Sequence, residues 1–325
     1  MGIKGLTQLI KKTSPDSIQH TGLYAMKDQR VAIDTSIFLY KSLINCRYNG
    51  DYLRSHDGKI VSHIQGLYYK TNQYLSMGIT PIYIFDGKPP IEKSECIRER
   101  VKKAQDCKAK SDLETDEKSK QNLEKGSIRI KKEYIDDLKH LFDMMGVSYI
   151  HADGEAEAYA SELCRLGVVD AVVTEDMDTL AYGCPIMIRG CIDKSIKRSN
   201  ATTITTFDFQ KMLSDFQLTH DQFIDMCILC GCDYCPTITG IGPVRALKCI
   251  RKHGTIENYL SNEGSATDEF KAKYGKAREL FKVFDGKIDP DNLPIHSSEY
   301  DSERIYNHLV NECSMNGNRV TKSLR

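Results

Sequence analysis

Between residues 30 and 190 the apolar positions follow two alternating rhythms. Short, nearly unbroken apolar runs at Arg30–Asp34, Pro81–Asp86, Gly146–Ile150, Asp170–Thr174 and Cys184–Ile188 have the length and β-branched content of buried strands. Between them lie stretches with an apolar residue at every third or fourth position. Ser36–Cys46, Ser62–Met77 and a segment opening at Glu155 and running to about Leu166 each read as a helix with one buried face. Gly78 breaks the second of these. A helical pattern at Ile3–Lys12 precedes the first strand, and others lead into Gly231, cover Val244–His253 and recur near Glu303–Cys313. Strands alternating with helices predict an α/β fold: a mostly parallel, twisted central sheet flanked by helices. Glu92–Lys132 interrupts the rhythm. It is dense in charge and poor in apolar residues, so composition alone reads it as a solvated helical excursion or a partly disordered linker.

Composition changes this picture little. The 325 residues are 40% hydrophobic, enough for a sizeable core, and no apolar run is long enough to cross a bilayer. Met1–Leu6 lacks the features of a signal peptide, and Leu6 stands where a myristoylation signal needs Ser or Thr, so the chain reads as intracellular. The 45 basic and 45 acidic residues cancel. That argues against a broadly basic nucleic-acid coat, while leaving room for an acidic pocket offset by basic stripes. The twelve cysteines are expected to be reduced. Cys227, Cys230, Cys232 and Cys235 are spaced too closely for a four-ligand zinc site and read as buried thiols.

The acids carry more information. Two strand-like runs end in aspartate, Asp34 and Asp86, and open parallel sheets gather functional groups outside the carboxyl ends of their strands. Glu155 and Glu157 open a helix after another strand, with Glu155 expected in its entry turn and Glu157 in its first turn, both near the sheet edge. Asp176 and Asp178 follow the next strand and, in extended chain, would point the same way. Asp233 closes a later helix. Burying several like charges is costly unless cations neutralise them. All-oxygen donors without clustered histidine select Mg²⁺, with Mn²⁺ as substitute, and two such ions suit phosphodiester hydrolysis. Downstream, Gly240-Ile241-Gly242-Pro243 opens an amphipathic helix; glycines before a proline at the first turn can present backbone N–H groups to a phosphate.

Seven segments together resemble the flap endonuclease family, within the XPG-like superfamily of structure-specific five-prime nucleases. They are MGIKGL (1–6), VAIDTS (31–36), IFDGKPP (84–90), GEAEA (154–158), TEDMD (174–178), LCGCDYC (229–235) and GIGP (240–243). The resemblance implies a PIN-like sheet, a helical gateway or cap over the active site, and a helix–two-turn–helix element that binds duplex DNA. It divides the chain into an N-terminal nuclease region (1–106), a cap (87–132), an internal nuclease region (119–255) with the DNA-binding element at 219–255, and a C-terminal segment (256–325). That last segment would contact upstream duplex and a 3′ flap, with residues 319–325 faintly similar.

By the same resemblance, Asp34, Asp86, Glu155, Glu157, Asp176, Asp178 and Asp233 would bind two catalytic Mg²⁺ ions. Lys93 and Arg100 would contact the scissile phosphate, and Tyr40 would stack on a base beside it. Gly2, Arg47, Lys70, Glu155, Gly231, Asp233, Gly240, Gly242 and Arg245 would contact DNA, with K⁺ held by Thr237, Ile238, Gly240 and Gly242. The implied activity is cleavage of 5′ flaps at the junction of single strand and duplex, with 5′–3′ exonuclease action, by a nuclear monomer in replication and repair. A viral replication site in the cytoplasm is the alternative location.

Some positions depart from the family. Lys70 replaces the usual arginine and its planar fork, Thr239 and Val244 stand where basic residues are common, and Cys230 and Cys232 replace an apolar and a small polar residue. Up to Arg325 the sequence shows no clamp-binding motif or basic tail, so the resemblance leaves recruitment by a sliding clamp in doubt. The rival readings are a nuclease for bubbles or four-way junctions, a nucleotide phosphohydrolase, and an inactive DNA-binding scaffold. The intact set of acids speaks against the scaffold.

Overall fold

The computed structural model describes residues 2–190, 203–262 and 266–324; Met1 and Arg325, at the ends of segments that carry the resemblance, lie outside them. Among the described residues there are nine strands: β1 (Ile18–Gly22), β2 (Arg30–Asp34), β3 (Arg47–Tyr48), β4 (Asp51–Tyr52), β5 (Thr80–Phe85), β6 (Tyr149–His151), β7 (Ala171–Val173), β8 (Ile186–Arg189) and β9 (Thr203–Asp208). Seven form one sheet in the order β1-β9-β8-β7-β2-β5-β6, while β3 and β4 make a separate hairpin. From β8 to β6 every pairing is parallel. β9 and β1 add an antiparallel margin.

Alternation along the central strands sorts side chains between two cores. Ala32, Ile82, Ile84 and Val172 face a core built with Leu6, Ile10, Leu163, Ile224, Ile228 and Ala246. Val31, Ile33, Tyr83, Phe85 and Val173 face the other, with Leu43, Ile64, Leu67, Leu138 and Phe142. Helices Leu6–Thr13, Ala156–Arg165, His220–Cys230 and Pro243–His253 therefore cover one face; Thr35–Asn45, Ser62–Ser76 and Lys132–Met145 cover the other. Strands buried on both sides read as continuous apolar runs, which is why β2, β5 and β7 were visible in sequence.

The charged excursion is ordered. It forms two packed helices, Ser94–Leu113 and Glu117–Gly126, at the place of the cap that the resemblance implies; of the two readings from composition, the helical excursion holds and the disordered linker does not. Near the C-terminus, Asp268–Leu280 is anchored where Arg278 grips Asp225 through Nε at 2.7 Å and Nη2 at 2.9 Å. The helix expected near Glu303–Cys313 divides into an α-turn, Ser302–Tyr306, and a π-helical stretch, Asn307–Glu312. Ile305, Leu309 and Val320 bury this segment against the second core.

Candidate active site

β2 lies at the point where the strand order reverses, with β5 and β6 following on one side and β7 and β8 on the other. The crevice outside the carboxyl ends of the strands at such a point is where open α/β sheets place their ligands. Asp34 ends β2 there and is only 2% exposed. It also caps the helix that follows: Oδ1 accepts the Ile37 N–H at 3.3 Å, and Oδ2 accepts the Thr174 hydroxyl at 3.1 Å. Burial, and then the charge of Asp86, push its pKa up to about 7. Asp86, one residue past β5, accepts the Ala156 N–H at 2.9 Å and the Ser36 hydroxyl.

Glu155 is the N-cap residue of Ala156–Arg165 and Glu157 lies in its first turn, as the sequence predicted. Burial raises the pKa of both, and the charges of Asp34 and Asp86 add to the effect at Glu157. The next pair departs from expectation. Asp178 opens a four-residue helix, Asp178–Ala181, so this stretch is not extended. The two carboxylates meet through a turn instead: the Asp176 N–H donates to Thr174 Oγ1 at 3.1 Å, and the Asp178 N–H donates to Asp176 Oδ1 at 3.2 Å. Asp176 is 8% exposed and Asp178 5%, and burial followed by neighbouring charge holds Asp178 well above the usual carboxylate range.

Asp233 reaches the edge because His220–Cys230 ends at Gly231 with φ of 103°, a backbone conformation that suits glycine. A Cβ there would lie 2.4 Å from the Thr237 methyl. An antiparallel backbone pairing of Cys232 with Cys235, both free thiols, holds the following turn. Cys227, Cys230 and Cys235 are buried free thiols, as read from the sequence, whereas Cys232 is free but only half-buried.

The cap leans into this edge. Lys93, Cys96 and Arg100 share one face at the start of the helix Ser94–Leu113. Lys93 Nζ donates to Glu155 and stands 3.9 Å from Asp233 Oδ2; Arg100 Nη2 donates to Asp233 Oδ2 at 2.6 Å. Burial works against the charge of Lys93, but Glu155 and Glu157 outweigh it and hold the ammonium above its ordinary pKa. The Cys96 thiol donates to Asp233 Oδ1 at 3.4 Å, a contact with no signal in the sequence.

Other predicted residues are distributed around this centre. Gly2 packs directly on it: a Cβ would fall 1.9 Å from Asp176 Oδ1. Tyr40 lies beneath the cap and donates to the Lys125 carbonyl at 3.4 Å. Arg47 is committed to internal contacts, with the Leu43 carbonyl at 3.1 Å, the Gly50 carbonyl at 2.9 Å and the Tyr52 ring at 4.3 Å. Lys70 donates to Gln73 Oε1 at 3.1 Å and lies over the Tyr74 ring. At the glycine hairpin, Gly240 has φ of 81° and its carbonyl receives Arg245 Nη1 at 2.9 Å; Gly242 caps the helix Pro243–His253 beside open space, and Ile238 accepts the Ile241 N–H at 3.1 Å. Sequence reasoning missed Ser36, Thr174 and Cys96. The first two stand within the VAIDTS and TEDMD segments, one or two residues from an acid.

The donor set fits hard divalent cations. Among the described residues no three His, Cys, Asp or Glu groups are already arranged around a common ion. The acids are nevertheless buried, alike in charge and all-oxygen, and Asp178 Oδ1 is buried with no hydrogen-bond partner.

A PIN-like α/β sheet whose switch point collects carboxylates beneath Lys93 and Arg100 agrees with the family matches, which define the class as a nuclease of the XPG type. The XPG N-terminal domain matches residues 1–107, and the XPG I-region matches residues 146–233. The flap endonuclease 1 of Glycine max is 40% identical over 332 aligned positions, covering 100% of this chain and 86% of its own. The flap endonuclease-1 structure from Methanococcus jannaschii superposes with a TM-score of 0.69 at 29% identity, covering 95% of each chain. The catalytic core of Rad2 in complex with DNA substrate shares the fold, with a TM-score of 0.73 at 21% identity over 99% of this chain and 98% of that one. The chain belongs to the flap endonuclease family.

Proposed function

We propose that the chain cuts 5′ flaps at the junction of single strand and duplex by Mg²⁺-dependent phosphodiester hydrolysis, with 5′–3′ exonuclease action on the same site. The observation that carries this reading is the convergence of buried acids at the switch point under two cap cations. Asp34, Asp86, Glu155, Glu157, Asp176, Asp178 and Asp233 would hold two Mg²⁺ ions. Bound there, these ions supply activation of the attacking water and neutralisation of charge at the leaving oxygen.

The remaining work falls to the chain's own side chains. Lys93 and Arg100, now paired with Glu155 and Asp233, sit where they can pass to the scissile phosphate and stabilise its developing charge. Tyr40, under the cap, offers an aromatic face for the base beside the cut. The Gly240–Pro243 hairpin anchors the duplex through backbone N–H groups, with K⁺ at Thr237–Gly242. Gly2 and Gly231, packed against Asp176 and Thr237, would contact the DNA through their own backbone, and residues 256–325 would serve the upstream duplex. A nuclear location is part of the same proposal; among the described residues no helix is long and apolar enough to cross a membrane.

The test is cleavage of an end-labelled double-flap DNA with Mg²⁺, compared with EDTA and with Asp178→Ala. Release of the flap at the junction, abolished by either change while DNA binding persists, is the expected result. Wild-type-like cutting by Asp178→Ala would remove the metal assignment. Cutting of bubbles or four-way junctions but not flaps would keep the site and change the substrate.

A further inference from the structure

A second group of metal-type donors lies on the face of the sheet covered by Lys132–Met145, where the C-terminal segment docks. His308 sits in the π-helical stretch Asn307–Glu312, and Cys313 is its C-cap residue. Their side chains meet, with Cys313 Sγ 3.6 Å from His308 Nε2. Two ligands on one tetrahedral Zn²⁺, with Zn–S near 2.3 Å and Zn–N near 2.0 Å, stand about 3.5 Å apart. The other ring nitrogen of His308 is held by Glu312 Oε2 at 2.9 Å. A carboxylate on the far nitrogen is the usual device for fixing the tautomer and ring orientation of a metal-bound histidine.

Two further donors are close. The His140 ring stands edge-on to His308, with centroids 5.2 Å apart. Asp137, three residues earlier and on the same helix face, acts electrostatically on Cys313, although it also pairs with His63 Nε2 at 3.0 Å. Burial, and then the charges of Glu312, Asp137 and Asp57, push the Cys313 thiol up to about 12, opposed by Lys59; a divalent cation bound to the sulfur would reverse that balance. Cys313 is 4% exposed and the His308 side chain 11%, which gives a partly enclosed site. π-Helical turns are rare and occur frequently at functional sites. This one brings residues 308 and 313 into register.

We infer that Cys313 and His308, completed by His140 and Asp137, form a site for a thiophilic divalent cation such as Zn²⁺, separate from the carboxylate edge. The soft thiolate and the imidazoles set its preference apart from that of the all-oxygen set. Because the described donors do not yet converge as a group of three, binding draws in the exposed His140 by side-chain rotation. The cation would pin the C-terminal segment to the nuclease body, so its first consequence is stability.

The experiment uses the full chain, freed of metal and titrated with Co²⁺ in excess Mg²⁺. Ligation by thiolate produces a sulfur-to-cobalt charge-transfer band that carboxylates cannot give. Cys96, the thiol at the carboxylate edge, is controlled by Cys96→Ser. The expected result is a band in wild type and in Cys96→Ser, lost in Cys313→Ser and weakened in His140→Ala. Zn²⁺ in excess Mg²⁺ should also raise the Tm of wild type but not of Cys313→Ser or His308→Gln. No band in wild type, or a band lost only with Cys96→Ser, overturns the assignment. An equal Tm shift in wild type and Cys313→Ser does so as well, leaving an ordinary thiol–imidazole hydrogen bond.

Discussion

The carboxylate edge and the cap are both dense in charge, yet their charges are held in opposite ways. At the edge, Asp34, Asp176 and Asp178 are buried against apolar strands, and burial raises the pKa of each. On the cap, pairs such as Lys108 with Asp112 are exposed, a situation worth little to stability. Lys93 and Arg100 are exceptions at the cap's inner end, because they reach down to the edge. Charge density does not separate a working site from a solvated helix. Desolvation of like charges does.

The largest effect expected from breaking this contrast is that of Asp178→Asn, which keeps the shape and removes one buried charge. Flap cutting should fall to background in a gel assay, while the Tm measured in EDTA rises because a like-charge repulsion is gone. A fall in that Tm would show that Asp178 is structurally paired. Next comes Lys93→Ala, with single-turnover cutting slowed roughly 10²–10³-fold, the usual loss for one charge-stabilising group, and DNA affinity little changed. A loss confined to affinity would move Lys93 from chemistry to docking.

The acids also predict a pH dependence. The pKa of Asp34 rises from 3.8 to about 7 on folding, so between those values the folded chain binds more protons than the unfolded chain. Metal-free stability should therefore fall as pH rises through this window, whereas Mg²⁺, which competes with the proton, should bind more tightly. Mg²⁺ titrations of cutting at pH 6 and pH 8 test this; equal midpoints would contradict it. The smallest effects belong to the cap surface, where Lys108→Ala should change stability by no more than about 0.5 kcal/mol in urea unfolding. A larger loss would mean that the cap helices rest on their exposed pairs.

These regions were unequally legible in sequence. β2, β5 and β7 announced themselves because both of their faces are buried, and their terminal acids followed at once. β1 escaped notice because most of its side chains are exposed at the sheet margin, leaving no apolar alternation to read. The β3–β4 hairpin is two residues per strand, too short to carry a period. Asp176 and Asp178 were placed correctly at a strand end but in the wrong local geometry. The turn depends on the Thr174 hydroxyl and the Asp176 carboxylate capping backbone N–H groups, a local competition that spacing alone does not reveal. The C-terminal segment was least legible, because its anchors are tertiary contacts such as Arg278 on Asp225.

The reversal of strand order at β2 also has a kinetic consequence. The acids that meet there come from positions as far apart as Asp34 and Asp233, on strands and turns flanking both sides of the reversal. Closing such long loops is slow, and it must precede the contacts that reward it. A nascent chain that has not yet produced Gly231–Asp233 lacks the residue on which Arg100 rests. On the proposed assignment of Asp233 to the metal set, cutting would require that the chain be folded as far as Gly231–Asp233.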